Sequence, residues 1–223
     1  MNTPHYPSFG CLGRARAGKG TMAAIITSWA KYNSLPSQII SFADPIKDFL
    51  TLLIGRSEPF RGNDAQRNAP LADFPWRSFE APVLAGARRI GVPEDVIENG
   101  SPTGRQLMQI FGTDIMRNQF YDQTWFRIAA NRAKNFAGIT IVDDVRFPNE
   151  ARPVTEGGMF DYVIKVTRES VPKLDHASEN SVDQVPQNHL SIIMPNDNSI
   201  EDLSARLDLW LSMMAMVRRS AAG

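Results

Sequence analysis

The sequence predicts an α/β protein, a three-layer sandwich in which a parallel sheet of about five strands carries helices on both faces. Two features lead to this. A glycine-rich loop, Gly13 to Thr21, lies between a short apolar run and a helix-like stretch. Farther on, Gly138-Ile139-Thr140-Ile141-Val142-Asp143-Asp144 is a nearly continuous apolar run ending in two acids. A parallel strand buried on both faces reads this way, with its polar end at the carboxyl edge of the sheet. Around these segments strand-like and helix-like stretches alternate, the rhythm of crossover units.

The elements follow in order. Phe9 to Leu12 is the first strand and Thr21 to Tyr32 the first helix; Ser37 to Phe42 is a short second strand. Ile46, Phe49, Leu50, Leu53 and Ile54 then recur at helical spacing behind Asp44-Pro45, a cap followed by a proline at the first helical position. Between Gly55 and Pro102 six prolines fall in a polar stretch (Pro59, Pro70, Pro75, Pro82, Pro93, Pro102), which argues against a regular core element. Residues 55–103 are expected to be an irregular substrate-binding insertion with short helices near 81–90 and 93–98. Helices are expected again over 103–111 and, capped by Thr124, over 124–136. Phe160 to Thr167 and Leu190 to Met194 are the last strands. Ser199 and Asp202 form a capping box before a helix with Leu203, Leu207, Trp210, Leu211 and Met214 on its apolar face. The 223 residues suit a single domain with embellishments.

Composition narrows the function. With 24 basic and 24 acidic residues, the chain has no charge excess for coating nucleic acid or a membrane surface. An anionic ligand must therefore be met by local arginines. The lone Cys11 rules out an intramolecular disulfide and reads as a small core residue. No apolar run approaches the length of a membrane span, and the N-terminal residues lack the pattern of a secretory signal.

The chemistry concentrates in Gly13-Arg14-Ala15-Arg16-Ala17-Gly18-Lys19-Gly20-Thr21. Between a strand and a helix, such a loop turns successive N–H groups into one concavity, adds the positive end of the helix, and aims a lysine at the β- and γ-phosphates of a nucleoside triphosphate. The strict form of the motif has a Ser or Thr directly after the lysine to meet Mg²⁺; here Gly20 stands there and Thr21 follows. The competing reading is a glycine-rich turn before a buried helix. In a parallel sheet, ligands bind outside the carboxyl ends of the strands, where the loop, Asp44 and Asp144 are all expected.

The Gly-Lys-Gly-Thr ending resembles that of adenylate-kinase-like nucleotide kinases of the P-loop NTPase class. Further segments sharpen the likeness. Ser41-Phe42-Ala43-Asp44-Pro45-Ile46-Lys47, Gly104-Arg105-Gln106-Leu107-Met108-Gln109-Ile110-Phe111-Gly112-Thr113-Asp114 with Arg117 and Trp125, and above all Val142-Asp143-Asp144-Val145-Arg146-Phe147-Pro148-Asn149-Glu150-Ala151 resemble the phage deoxynucleoside monophosphate kinases. Val166-Thr167-Arg168, His176-Ala177-Ser178-Glu179-Asn180 and Asn196-Asp197 continue in that family's order, whereas the stretch 55–102 matches no part of it.

The resemblance implies transfer of the γ-phosphoryl of ATP, with Mg²⁺, to a deoxynucleoside 5′-monophosphate, in support of dNTP supply. Gly13, Ala15, Arg16, Ala17, Gly18, Lys19, Gly20 and Thr21 would hold ATP. Lys19, Arg146, Arg168 and Asp144 are the expected catalytic set. Asp144 would face the metal through water, Asp143 being the alternative, and no direct metal ligand is assigned. Asp44, Lys47, Arg105, Gln109, Trp125, Arg146 and Glu150 would bind the acceptor. Plainer readings stand beside several of these: a helix cap for Asp44, a core aromatic for Trp125, an ion pair with Arg146 or Arg152 for Glu150, a solvent-facing helix residue for Arg117. Residues 168–188 would form a lid, with Arg168 closing on the triphosphate. The expected partners are ATP and the monophosphate, without membrane or direct nucleic-acid contact. The apolar terminal helix leaves room for a homodimer, and the expected location is the cytoplasm, that of the host if phage-encoded. A dephospho-coenzyme A kinase-like enzyme and a non-catalytic nucleotide-binding module are the alternatives. The Val145-Arg146-Phe147-Pro148-Asn149-Glu150 stretch counts against the first and the ordered arginines against the second.

Overall fold

The computed structural model describes residues 5–171 and 180–221, with side chains described as far as 214. His176 and Glu179, and with them much of the expected lid, lie outside the described residues. The chain divides into two units, Met1–Ser41 with Ala129–Gly223, and Phe42–Ile128.

The first unit is built on five parallel strands in the order β2-β3-β1-β4-β5. They are β1 (Ser8–Leu12), β2 (Ser37–Ile40), β3 (Ile139–Val145), β4 (Tyr162–Thr167) and β5 (Ile192–Pro195). This is the predicted α/β sheet. β1 sits at its centre, so the chain leaving its carboxyl end emerges where the strand order reverses, the crevice in which such sheets bind ligands. Helix α1 (Lys19–Tyr32) and the last helix, α9 (Ile200–Ala221), pack on the sheet through Met22, Ile26, Leu203, Leu207 and Leu211 against Phe9, Cys11, Ile139, Ile141 and Ile164. The predicted apolar face of α9 is thus buried, and the Ser199 hydroxyl accepts from the Asp202 amide as the capping box requires.

β3 contains the one irregularity that matters for chemistry. Gly10 is opposite Val142, but Leu12 is opposite Val145, so Cys11 faces both Asp143 and Asp144. The extra residue is a bulge, a device that re-aims side chains at a strand end.

The second unit is helical. It contains α2 (Asp44–Ile54), α3 (Glu58–Arg61), α4 (Asp64–Asn68), α5 (Ala81–Arg89), α6 (Glu94–Asn99), α7 (Gly104–Gln109) and the start of α8 (Thr124–Lys134). The two short helices expected near 81–90 and 93–98 are present, and α3 and α4 add two that proline density had hidden. Trp76, Ala87, Val92, Ile97 and Ile110 form a core here. The predicted apolar stripe of α2 is narrower than its spacing implied: Ile46 and Leu50 are buried, whereas Leu53 is exposed and Phe49 is partly covered by stacking on Phe111 at 4.6 Å.

Two helix boundaries differ from expectation. α7 passes into a π-helical stretch, Ile110–Phe120, closed by a bond from the Tyr121 amide to the Met116 carbonyl five residues back. Periodicity at 3.6 residues cannot register that widening. Thr124 does not cap α8 with its oxygen; its hydroxyl donates to the Tyr121 carbonyl and the Arg127 amide bonds Gln123.

Candidate active site

The loop between β1 and α1 is held open by four local devices. Arg16 and Gly18 both have positive φ, 61° and 110°. That conformation is costly for Arg16 and natural for glycine, and it turns amides inward instead of continuing a strand or helix. A Cβ on Gly18 would meet the Asn196 amide nitrogen at 2.3 Å, and one on Gly13 would meet the Val166 carbonyl oxygen at 2.7 Å. Both glycines are therefore needed for close packing on the β4 and β5 ends. Asn196, itself buried, donates to the Ala17 carbonyl at 2.9 Å, and the Met22 amide closes the first turn of α1 on Gly18. Ala17 is buried beneath the loop.

Lys19 is 8% exposed and its Nζ donates to the carbonyls of Gly13 and Arg14, each at 2.7 Å. The ammonium thus bridges the loop from inside. It lines a cavity of about 470 Å³ together with Arg16, Gly18, Gly20, Thr21, Asp143, Arg168, Asn196, Asn198 and Ile200. Three cations, a hydroxyl, side-chain amides and a single carboxylate surround this space. Thr21 and Ile200 also line an adjoining groove of about 750 Å³ between α1 and α9. Arg14 turns elsewhere: it donates to Asp183 at 2.6 Å and holds that carboxyl below the usual carboxylate range.

The two acids of β3 part at the bulge. Asp143 lines the cavity with Lys19, while Asp144 accepts a hydrogen bond from the Ser41 hydroxyl just past β2. Cys11, opposite both, is completely buried; burial first, and Asp143 next, push its thiol far above its ordinary value. Beyond β3, Glu150 is 2% exposed and accepts from the amides of Arg146 and Phe147 at 2.9 and 3.1 Å. It ties the turn that presents Arg146. Neither the base contact nor the side-chain ion pair considered from sequence had included this backbone anchoring, for which Glu four residues after Arg is the only sequence signal.

The remaining predicted residues belong to the second unit. Asp44 is the first residue of α2, with Ala43 as its cap, and its carboxylate receives Lys47 at 3.2 Å and Arg61 at 3.5 Å. Arg105, at the start of α7, pairs with Asp64 at 2.9 Å. Gln109 ends α7, half-buried. Trp125 is 4% exposed and donates its Nε1–H to the Gly112 carbonyl at 2.9 Å, so it holds the backbone of the Gly112-Thr113 segment. Arg61, Asp64 and Asn196 were not singled out as site residues from the sequence; only Asn196 lay in a segment that the resemblance named.

Among the described residues no three His, Cys, Asp or Glu side chains cluster to hold a metal ion, and no helix is long and apolar enough to cross a membrane. The protein oxygens that do face the cavity, a carboxylate and a hydroxyl, are hard ligands of the kind a small divalent cation takes alongside substrate phosphates.

Known proteins give the same direction. The family model described as deoxynucleotide monophosphate kinase matches residues 89–207. The deoxynucleoside-5′-monophosphate kinase of Escherichia phage T5 is 24% identical over 209 residues, covering 78% of this chain and 84% of that protein. With more than half its length matched by the family model, and with the glycine-rich loop leaving the central strand of a parallel sheet, the chain belongs to the deoxynucleotide monophosphate kinase family.

Proposed function

We propose that this kinase binds ATP with Mg²⁺ on the Gly13–Thr21 loop and passes the γ-phosphoryl to a deoxynucleoside 5′-monophosphate. The observation that carries the reading is Lys19, an ammonium held on two loop carbonyls inside a cavity it shares with Arg16 and Arg168. Phosphoryl transfer asks a protein mainly for positioning and for stabilisation of charge on the transferring group. Lys19 leaves its carbonyls for the β- and γ-phosphate oxygens, the loop amides of Ala15 to Thr21 cradle the chain of phosphates, and Arg168 closes the same side. Asp143 and Thr21 are the residues that would hold Mg²⁺, which would supply charge neutralisation on the phosphates. Asp144, bonded to Ser41, acts at the neighbouring end of β2.

On the acceptor side, Arg146 and Arg105 take phosphate oxygens with planar guanidinium forks. Glu150 keeps Arg146 in place through the backbone, and Trp125 does the same for Gly112. Asp44, Lys47 and Gln109 complete the acceptor contacts.

A coupled ADP-release assay with ATP and Mg²⁺ against each deoxynucleoside and ribonucleoside monophosphate tests the reading. Turnover that depends on a deoxynucleoside monophosphate is expected; ATP binding without acceptor-dependent turnover would refute it in favour of a non-catalytic nucleotide-binding module.

A further inference from the structure

Most of the 55–103 segment lies ahead of the residues that the family model matches, yet it supplies charged groups that meet Arg105. α4 has only five residues, far below the length at which a helix stands alone. A reciprocal cap fixes it: the Asn63 side chain accepts from the Gln66 amide at 3.0 Å, and Gln66 accepts from the Asn63 amide at 2.9 Å. α7 begins with the same device, Thr103 with Gln106, at 3.2 and 2.8 Å. The segments leading out of α4 and into α7 are joined by the bond from the Leu71 amide to the Pro102 carbonyl at 2.8 Å. α7 also packs so closely on α3 that a Cβ on Gly104 would lie 2.0 Å from the Pro59 carbonyl oxygen. Two capped helix starts are thus locked together.

This framework brings two guanidinium groups to one oxygen. Arg67 and Arg105 each donate from Nη2 to Asp64 Oδ1, at 2.8 and 2.9 Å. The Nε–H of Arg67 is buried and meets no acceptor among the described residues, so its bidentate edge is only half used. Asp64 and Arg105 are about half exposed, leaving the cluster open to solutes. One carboxylate oxygen between two guanidinium groups leaves a net positive charge. A phosphate monoester dianion offers three terminal oxygens and two charges where the Asp64 carboxylate offers two oxygens and one charge, and can fill both arms of the Arg67 fork.

We propose that Arg67 is a second phosphate-binding arginine of the acceptor site, acting with Arg105, and that Asp64 is the resident counter-ion which the acceptor phosphate displaces. The proposal rests on the reading of Arg105 as an acceptor contact. It gives the part of the insertion ahead of the family match a defined part in acceptor binding.

Steady-state kinetics on Arg67→Gln, Arg67→Lys, Arg105→Gln and Asp64→Asn test it, with each substrate varied at saturating partner and a melting curve for every variant. Arg67→Gln is expected to raise the KM for the deoxynucleoside monophosphate at least about tenfold, leaving the KM for ATP and the melting temperature unchanged. Arg67→Lys is expected not to restore it, since a point charge cannot replace the fork. Asp64→Asn removes the competing anion and is expected to lower the acceptor KM. An Arg105→Gln effect on acceptor KM without an Arg67→Gln effect would overturn the proposal and leave the acceptor reading standing. No effect from either arginine would overturn both. An Asp64→Asn variant with raised acceptor KM and lowered melting temperature would make the three residues a structural ion-pair cluster, and overturn it as well.

Discussion

Replacing Lys19 by methionine separates the charge of this side chain from its packing. The aliphatic stem is buried against the loop and methionine fills nearly the same volume, so the change removes the ammonium and little else. The Nζ bonds two carbonyls at 2.7 Å. The bond to Gly13 is buried and the bond to Arg14 part-buried, so their loss is expected to cost folding about 2 kcal/mol. The effect on catalysis is larger. An ammonium about 4 Å from a unit phosphate charge, at an effective dielectric near 20, is worth about 4 kcal/mol. If that interaction is realised in the transition state, its loss lowers kcat by about a thousandfold. The assay is coupled ADP release at saturating ATP and acceptor, with urea unfolding as the control for structure. A Lys19→Met variant that unfolds within about 2 kcal/mol of the wild type and retains more than a tenth of its kcat would refute the assignment of Lys19 to the phosphates.

Three further outcomes are expected. Asp143→Asn should raise the Mg²⁺ concentration needed for half-maximal rate, because this carboxylate lines the donor cavity, whereas Asp144→Asn should leave the Mg²⁺ dependence unchanged; a titration of rate against Mg²⁺ distinguishes them, and the reverse order would reassign the pair. Asp161 joins the starts of β1 and β4 by accepting from His5 and from the Ser8 amide and hydroxyl. Burial raises its pKa, but those hydrogen bonds together outweigh burial and lower it; its contribution is therefore present above the unfolded value of about 4 and is lost as pH falls through the lowered folded value. Asp161→Asn should cost about 1–3 kcal/mol at neutral pH in urea unfolding and less at pH 3, and an equal cost at both would contradict the linkage. Cys11 should stay unlabelled by a thiol reagent in the native protein and react on unfolding, since it is fully buried and its thiol is held protonated; native labelling on a timescale of minutes would place it elsewhere.

What was legible in the sequence was whatever a short window of residues determines. The loop, the β3 run and the α9 stripe declare themselves by composition and period, and the five-strand parallel sheet follows from their alternation. The signals that failed were those that depend on a distant neighbour. Phe49 and Phe111 cover each other across more than sixty residues, so the α2 stripe needed less core than its period implied. α3 and α4 are too short to show a period, and α4 exists through the Asn63–Gln66 cap. The two acids of β3 look equivalent in sequence; a bulge set by pairing with β1 directs one to the cavity and the other to Ser41. The bond from the Trp125 N–H to the Gly112 carbonyl is likewise a contact between separate segments that composition does not announce.

The same distinction explains Gly20, the residue that departs from the strict phosphate-loop pattern. Packing does not require it: a Cβ there meets no atom within 4 Å, in contrast to Gly13 and Gly18, where it would collide with Val166 and Asn196. Glycine in the first turn of α1 lowers helix stability by roughly 0.5–1 kcal/mol relative to alanine, so the position carries a cost without a steric reason within the fold. Gly20 is exposed and lines the cavity beside Lys19 and Thr21. On the proposed reading a bare backbone at that point would let phosphates come nearer to the amides, and oxygen ligation of a metal would fall to Thr21 and Asp143, which line the same cavity. The missing hydroxyl and the bulge at Asp143 would then be two parts of one arrangement: the loop would give up a ligand at residue 20, and β3 would provide a carboxylate in the same cavity.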